Sequence, residues 1–413
     1  MTLSRLPFLR VRSAHQVKVH AIILAAIMWV FAIAVGTIDK SDRGFAGPLK
    51  GADFIQCYTL GHLAHSHQIA AMSDMRALHE AQTALVPASA IDLYPAVYPP
   101  QIAALCAPVY GWSYQSALLV WTLLSIAAYA FIVWSAWKPV SSVLSDRTLI
   151  IATAAAFPPF WYVVLYGQIT VLVLAAFWAG WIALERGHRL LAGVAFALLA
   201  IKPQFGIALA VIVLVGREWR MLAGAVLSVV AQVAATSWML GWEAFRGWAS
   251  TTLAITVNNV DLFESKPFHS HSLRSLTRLV PNWIGMPLWI AMAGVVLWYT
   301  ARVWRSDAPL RVRLGMVMLA AVLVNPHVIV YDTTVLALPL LWFGAYMQES
   351  ERQVTAAPFC VTTYWLFAAL FAPTAAALGI QLSVLLMMWL MVLVSRSVLQ
   401  VEQQPQIITH AAA

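Results

Sequence analysis

The sequence predicts an all-α protein that crosses a membrane many times, and three observations support this. Of the 413 residues, 62% are hydrophobic and only 10% are charged, whereas soluble proteins carry about 25% charged residues. Apolar stretches long enough to cross a hydrocarbon layer of roughly 30 Å recur from one end of the chain to the other. Because lipid cannot satisfy backbone polar groups, these stretches must be helical.

The apolar stretches define about twelve spans, within a range of ten to thirteen. They lie near residues 21–37, 114–137, 149–165, 169–185, 189–201, 205–216, 220–240, 285–303, 312–325, 331–347, 355–372 and 376–395. The stretch 101–110 is apolar but too brief to cross a bilayer. We expect one integral membrane domain over residues 1–400 and a frayed tail over 401–413.

The amino-terminal segment carries four basic residues, Arg5, Arg10, Arg12 and Lys18, ahead of the apolar run at 21–35. This pattern fits either a signal peptide or an uncleaved membrane anchor. The length of the basic region and of the apolar run favours the anchor.

Basic residues in short loops predict the orientation, because such loops stay in the cytoplasm. Every second loop is basic if the amino terminus is inside. The residues on that side are Lys138, Arg147, Arg186, Arg189, Arg217, Arg220, Arg302, Arg305, Arg311, Arg313, Arg352 and Arg396. The net charge of +8 is spread over these loops and forms no single basic face, which argues against nucleic acid as a partner.

The outer face then receives the long segments 38–113 and 241–284 and three short turns around 166–168, 202–204 and 325–332. In a bacterium this face would be the periplasm. Residues 54–82 are rich in helix formers at loosely helical spacing, which predicts interfacial helices that lie on the outer membrane surface.

Asp53 is the candidate catalytic residue in the first outer segment, between Gly51 and Phe54. A carboxylate near aromatic and apolar neighbours can have its basicity tuned by partial desolvation, which suits a general base. The alternative is a solvated helix cap, since Asp is common before an apolar helix. Similar competitors on the same face are Asp39, Asp42, Asp74 and Asp92.

Two further outer elements contain candidate substrate-binding residues. The segment 94–100 holds three prolines with Tyr94 and Tyr98, which predicts a stiff non-helical turn. The turn alone explains this composition, although the tyrosines could also line a cavity at headgroup level. Gly167 and Gln168 open a span and indicate little by themselves.

Lys202 lies between two short apolar stretches, where an ammonium near the bilayer centre costs about 2.5–3.5 kcal/mol. Such a group usually faces a polar cavity, so an anion such as a lipid phosphate is a candidate partner. Alternatively, Lys202 snorkels to the interface from a short hairpin.

The turn at 325–332 brings His327, Tyr331 and Asp332 together on the outer face. His327 could donate to a phosphate or shuttle a proton, and a plain loop is the alternative. The long outer segment 241–284 contains four more donors, namely His269, His271, Arg274 and Arg278. These could equally contact lipid headgroups.

The three cysteines, Cys57, Cys106 and Cys360, form no CxxC motif and have no His at ligand spacing. We therefore expect neither a disulfide framework nor a zinc site, but buried inert thiols. No DxD pair occurs, so we expect a metal-independent reaction and no cofactor.

Five motifs occur in an order that resembles glycosyltransferase family 87. They are Asp53-Phe54, Tyr98-Pro99-Pro100, Gly167-Gln168, the Lys202-Pro203-Gln204 turn after residues 192–197, and His327 followed by Tyr331-Asp332. The family comprises membrane glycosyltransferases of the GT-C type, including polyprenyl-phosphate-mannose-dependent enzymes of bacteria. The chain departs from the pattern at Cys57, where an aromatic or small polar residue is expected.

The resemblance implies an integral membrane enzyme with a GT-C-like helix bundle. In a bacterium, this enzyme would lie in the inner membrane. It would move a sugar, with mannose as first candidate, from a polyprenyl-phosphate carrier to a hydroxyl of a lipid or glycan acceptor. Asp53 would be the base of an inverting displacement, and Lys202 and His327 would stabilise the leaving phosphate.

Other function classes are compatible with parts of the sequence. About twelve spans also fit a transporter or lipid flippase, although no repeat of two halves is visible. An oligosaccharide ligase or polymerase would use a diphosphate carrier and a larger Arg- and His-rich outer loop. A membrane scaffold explains the hydrophobicity but not the polar residues collected on one face.

Overall fold

The computed structural model describes residues 13–38, 41–44, 47–95, 97–258, 270–349 and 353–401. Across these ranges the chain forms helices and no β-strand, with isolated β-bridges joining Arg43 to Leu49 and Ser270 to Ile329. The predicted all-α fold class is therefore confirmed. The basic residues Arg5, Arg10 and Arg12 lie outside the described residues, as does the expected tail after residue 401.

We number the α-helices in chain order. The first ten are α1 (Ala14–Thr37), α2 (Phe54–His65), α3 (Met75–Leu85), α4 (Pro100–Cys106), α5 (Tyr114–Trp137), α6 (Arg147–Ala155), α7 (Pro158–Tyr166), α8 (Thr170–Glu185), α9 (Arg189–Phe196) and α10 (Gly206–Val215). The others are α11 (Trp219–Leu240), α12 (Trp242–Asn258), α13 (Leu273–Thr277), α14 (Asn282–Trp304), α15 (Leu310–Leu323), α16 (Ala337–Gln348), α17 (Gln353–Ala369), α18 (Ala372–Leu378) and α19 (Leu382–Val401). Short 3-10 helices cover Ile69–Met72, Pro87–Ser89, Ala107–Val109, Lys138–Val140, Ala197–Ile201, Pro203–Phe205 and Val330–Leu336.

Among the described residues, five helices are long and apolar enough to cross a membrane, and six if the bent pair α6 and α7 forms one span. The five cover Ala14–Thr37, Tyr114–Val140, Trp219–Leu240, Asn282–Trp304 and Leu382–Leu399. The count of about twelve spans is not confirmed. Several predicted spans are apolar helices of 10–17 residues, and proline accounts for some of the breaks, as at Pro158 and Pro203, because it removes a backbone donor.

The centre of the molecule is α15, which is buried along almost its whole length. A helix that is apolar on all sides belongs inside a bundle, and α15 packs against α8, α10, α14, α16 and α19. By contrast, α1 buries only Ala21 and Met28. Several of its other apolar side chains are exposed, among them Ile23, Ile27 and Val30, as expected of a helix in contact with lipid.

Helices α9 and α11 cross with their backbones in contact. A Cβ at Gly193 would lie 1.9 Å from the carbonyl oxygen of Met221, and one at Gly224 would lie 2.0 Å from that of Leu190. Small residues at such crossings let membrane helices approach closely. Because the chain reaches Lys202 six residues after α9 ends, this crossing anchors the turn that carries Lys202.

A disulfide joins Cys57 of α2 to Cys106 of α4, with their Cα atoms 5.6 Å apart. The expectation of buried inert thiols was therefore wrong for this pair. The two residues are 49 positions apart, so no local spacing indicates the bond. Cys360 is exposed on the surface of α17, which also differs from the expected burial.

The helices predicted within 54–82 are present as α2 and α3. Protein surrounds most of α2, from Phe54 to Ala64, whereas α3 buries only Leu78 and Gln82. The disulfide and the burial of α2 fix the position of Asp53, the residue immediately before this helix.

Candidate active site

Asp53 is the residue immediately before α2, and its side chain makes no capping hydrogen bond to that helix. Instead, the Nε2 group of Gln168 donates a hydrogen bond of 2.9 Å to Asp53 Oδ2. The carboxylate is half-buried. The position fits the cap alternative, but the side chain is engaged in a long-range contact.

The competing carboxylates have other partners. Asp74 caps α3 by accepting hydrogen bonds from two backbone amides, Asp92 pairs with Arg43 at 2.5 Å, and Asp42 accepts from Gln115 at 3.1 Å. Asp39 lies outside the described residues. These contacts give Asp74, Asp92 and Asp42 structural roles.

Backbone hydrogen bonds fasten Asp53 to the end of α7. The amide of Asp53 donates to the carbonyl of Tyr166 at 3.0 Å, and that of Gly51 donates to the carbonyl of Leu165 at 3.2 Å. Gly167 ends α7 with a φ of +65°, and a Cβ there would lie 2.6 Å from Cβ of Phe54. Glycine is thus needed for both the turn and the close approach.

Gln168 links Asp53 to the rest of the site. Its Oε1 atom accepts hydrogen bonds from the Tyr98 hydroxyl at 2.8 Å, the Ile169 amide at 3.1 Å and the Lys202 ammonium at 3.2 Å. Gln168 and Tyr98 are both buried. The sequence prediction placed both residues at a substrate site, and the structure adds that they contact each other.

Lys202 is 5% exposed and forms a buried ion pair with Asp332. Its ammonium donates to Asp332 Oδ1 at 2.5 Å, Thr170 Oγ1 at 3.1 Å and Gln168 Oε1. An ammonium has three protons, and these contacts use all three. Lys202 therefore does not snorkel to the protein surface.

Aromatic rings enclose the Lys202 ammonium on two sides. It lies 5.2 Å from the ring centre of Tyr331 and 5.8 Å from that of Tyr98, within the range of cation–π attraction. The Tyr331 hydroxyl also interacts with the Asp53 carboxylate. The two predicted tyrosines thus connect the ion pair to the candidate base.

Asp332 is held by the first turn of the 3-10 helix Val330–Leu336. Besides Lys202, its Oδ1 accepts from Thr170 Oγ1 at 3.0 Å, and its Oδ2 accepts from the Ile329 amide at 3.3 Å. Sequence reasoning missed Thr170. The only signal for it was its position two residues after Gln168, at the start of α8.

His327 lies in the loop before this 3-10 helix and is partly buried. Its backbone amide donates to Asn325 Oδ1 at 2.9 Å. The pKa of the His327 imidazole is lowered to about 4, chiefly by burial; Asp332 opposes this shift, and the nearby charges of Arg278 and Lys202 add to it. The side chain is therefore neutral at pH 7 and can offer a single ring N–H as donor.

The other donors predicted in the long outer segment have structural contacts. The backbone amide of His271 donates to the Val328 carbonyl at 2.8 Å, which fixes the loop that carries His327. Arg274 donates to Asn282 Oδ1 at 2.6 Å. His269 lies outside the described residues.

Within the part of the chain that the structure describes, no three His, Cys, Asp or Glu side chains are grouped so that they could hold a metal ion. What the described cluster contains is a half-buried carboxylate, an amide and a buried ion pair, surrounded by tyrosines. A half-buried carboxylate held by a hydrogen bond in this way has the chemistry of a general acid or base.

A model of glycosyltransferase family 87 matches residues 96–326 of the chain. The match covers more than half of the 413 residues, so the chain belongs to glycosyltransferase family 87. It is a membrane glycosyltransferase that acts on a sugar donor and an acceptor. This family membership disfavours the transporter and scaffold alternatives. No curated protein and no solved structure matches the chain.

The matched range contains Tyr98, Gln168 and Lys202, but Asp53 precedes it, and Tyr331 and Asp332 follow it. The structure brings the residues outside the range into contact with those inside it. The cluster is thus a property of the folded chain as a whole.

Proposed function

We propose that this glycosyltransferase moves a sugar, with mannose as first candidate, from a polyprenyl-phosphate carrier to a hydroxyl of a lipid or glycan acceptor. The reaction takes place on the outer face of the membrane, which is the periplasmic face in a bacterium. Asp53 acts as the general base. The observation that carries the proposal is the contact of Asp53 with Gln168, which fixes a carboxylate at the edge of the buried cluster.

In the proposed reaction Asp53 takes the proton of the acceptor hydroxyl as that oxygen attacks the anomeric carbon. The bond between the anomeric carbon and the phosphate oxygen breaks, and its electron pair leaves with the polyprenyl phosphate. A singly charged diester and a carboxylate become a doubly charged monoester and a carboxylic acid, so the total charge is conserved. One displacement inverts the configuration at the anomeric carbon.

The leaving phosphate gains negative charge and therefore needs donors. Neutral His327 offers one ring N–H from its loop. Lys202 can contribute only if the phosphate replaces one of its three present acceptors, Gln168, Thr170 or Asp332. We propose that Thr170, the one neutral hydroxyl among them, is the contact that is exchanged.

The disulfide supports the proposed outer location. Disulfides persist in oxidising compartments and are rare in the cytosol. The bond between Cys57 and Cys106 ties α2, which begins next to Asp53, to α4, which begins two residues after Tyr98. This agrees with the independent prediction from the basic loops.

The test is sugar transfer by the purified protein in lipid, with radiolabelled polyprenyl-phosphate mannose as donor and a crude lipid extract as acceptor. We expect Asp53→Asn to lower the rate by about 10²–10⁴-fold, because general-base catalysis contributes roughly this factor. Asp42→Asn, a carboxylate of the same segment that binds Gln115, is the matched control and should keep the wild-type rate.

Normal transfer by a folded Asp53→Asn variant would contradict the assignment of the base. If the wild type transfers sugar only from other polyprenyl-phosphate or polyprenyl-diphosphate donors, the proposed sugar or carrier is wrong and the base assignment is tested with that donor.

A further inference from the structure

The orientation of the Gln168 side-chain amide is determined by its surroundings. Three donors converge on Oε1, from Tyr98, Ile169 and Lys202. If the amide were turned over, its NH₂ group would face these three donors, and its oxygen would face the Asp53 carboxylate. Both contacts would be repulsive, so Nε2 must point at Asp53.

We propose that Gln168 is a positioning residue, which fixes the carboxylate of Asp53 and couples it to the ion pair of Lys202 and Asp332. This inference rests on the proposed role of Asp53 as the base. It replaces the substrate contact that the sequence predicted for Gln168. Gln168 would then act through Asp53 and not on the sugar.

The coupling follows from the charges at the two ends of the amide. The Lys202 ammonium lies 3.2 Å from Oε1 and draws electron density toward it. This strengthens the hydrogen bond that Nε2 donates to Asp53, because linked hydrogen bonds polarise one another. Asp332 moderates the effect, since its Oδ1 shares the same ammonium at 2.5 Å.

Gln168 also determines the position of the Asp53 carboxylate. The backbone of Asp53 hydrogen-bonds to Tyr166, and Gln168 follows two residues later, after Gly167. The main chain and the side chain of Asp53 are thus both held by the turn between α7 and α8. A carboxylate held at two points has little freedom to rotate away from a bound hydroxyl.

Titratable and charged groups from every neighbouring element act on Asp53. Five tyrosines interact with it electrostatically, namely Tyr94 and Tyr98 before α4, Tyr114 on α5, Tyr166 on α7 and Tyr331 on the 3-10 helix. Lys202 before α10 and its partner Asp332 are linked to it by way of Gln168. Among them, Lys202 is the cation, and it reaches Asp53 through Gln168.

The first experiment uses Gln168→Glu, which keeps the shape but sets a second carboxyl group against Asp53. Two carboxyl groups in contact resist double ionisation, so the proton is held to higher pH. We expect the acid limb of the kcat/KM profile for sugar transfer to move up by about one pH unit or more. The KM for the donor should change less than twofold.

The matched control is Gln115→Glu. Gln115 donates to Asp42 at 3.1 Å, so it repeats the same pair of residue types at an exposed position. Water screens charges there, and we expect the pH profile of this variant to equal that of the wild type.

A second measurement needs no substrate. The folded Gln168→Glu protein should hold a proton that the unfolded chain releases, so its Tm relative to wild type should fall as pH rises from about 5 to 8. Adding Asp53→Asn removes the like charge and should recover most of this loss. Additive effects of the two substitutions would overturn the coupling.

The outcomes separate this inference from the proposed function. If Asp53→Asn abolishes transfer while Gln168→Glu raises the donor KM without moving the acid limb, Gln168 binds substrate and the positioning role is wrong. If Asp53→Asn transfers sugar normally, the base assignment fails. The Tm values of the wild type, the two single variants and the double variant then decide whether Gln168 is coupled to Asp53.

Discussion

Lys202 and Asp332 illustrate how a membrane protein keeps charged groups inside its fold. Both side chains are at most 5% exposed, and each is the other's charge partner. A buried ion pair offsets the loss of hydration only if further hydrogen bonds complete the shell. Thr170 and the Ile329 amide supply those bonds to Asp332. Lys202 and Asp332, which the sequence analysis chose as candidate substrate contacts, thus depend on each other inside the fold.

The ion pair leads to a prediction for single and double variants. We expect Lys202→Met to destabilise the protein by about 3–5 kcal/mol, because Asp332 is left as an unpaired buried charge. Lys202→Met combined with Asp332→Leu should recover most of that loss. Thermal unfolding in detergent or lipid measures both.

The control for this series is Arg76→Met, which breaks an exposed pair with Glu80 and should cost less than about 1 kcal/mol. Equal destabilisation by the single and the double variant would show that the pair is not coupled. Sugar transfer by the folded double variant then tests whether the Lys202 ammonium stabilises the leaving phosphate.

Residue identities could be chosen from the sequence, but their contacts could not. Asp53 and Lys202 stood out as charged groups next to apolar sequence, whereas Gln168 was selected only through the order of the family motifs. The hydrogen bond between Gln168 and Asp53 spans 115 residues, that between Lys202 and Asp332 spans 130, and that from Thr170 to Asp332 spans 162. No periodicity or spacing within a segment carries information on such distant pairs. Family resemblance supplied the order of the motifs, and the fold supplies the geometry.

At the scale of elements, the disulfide is the strongest constraint near Asp53. It closes a loop of 49 residues between α2 and α4. By loop-closure entropy, a cross-link of this length stabilises the folded state by about 4 kcal/mol. It also keeps the start of α4, with Tyr98 just ahead of it, against α2.

We predict that this bond is present in the purified protein. A polyethylene-glycol maleimide should add to one cysteine, Cys360, in denatured unreduced protein, and to all three after reduction. Gel shifts report the number of additions. Three additions without reduction would mean that the thiols are free.

The paired variant Cys57→Ser with Cys106→Ser should lose about 2–4 kcal/mol of stability, whereas Cys360→Ser, the control, should lose little.

The sequence could not predict this disulfide, because two cysteines on separate helices form no recognisable pattern. The same limit explains the helix count. Apolar composition predicts that a stretch enters the membrane, but not that Pro158 or Pro203 divides it into shorter helices.

At the scale of the whole molecule, loops predicted for one face contact one another. Ion pairs join Lys18 to Asp146 at 2.8 Å and Arg311 to Glu349 at 2.5 Å, and another joins Arg189 to Glu218. Each pair connects two segments that the basic residues place inside. The cluster of Asp53, Gln168, Lys202 and Asp332 is formed by segments that the same prediction places on the outer face. These three contacts agree with the prediction for the segments that they join.

Impermeant thiol labelling in intact cells can test which face is outside. In a Cys360→Ser background, Gln68→Cys should be labelled, because the segment after α2 is expected outside and Gln68 is exposed. His188→Cys, an equally exposed position between α8 and α9, should be labelled only after the cells are opened. The reverse pattern would place the candidate site in the cytoplasm.

The position of the disulfide along the chain has a consequence for biosynthesis. Cys57 and Cys106 both precede Gln168, Lys202 and Asp332. The cross-link can therefore close while the ribosome is still making the rest of the chain. The segment with Asp53 would then already be folded when the later helices pack against it, so this part of the candidate active site forms before synthesis ends.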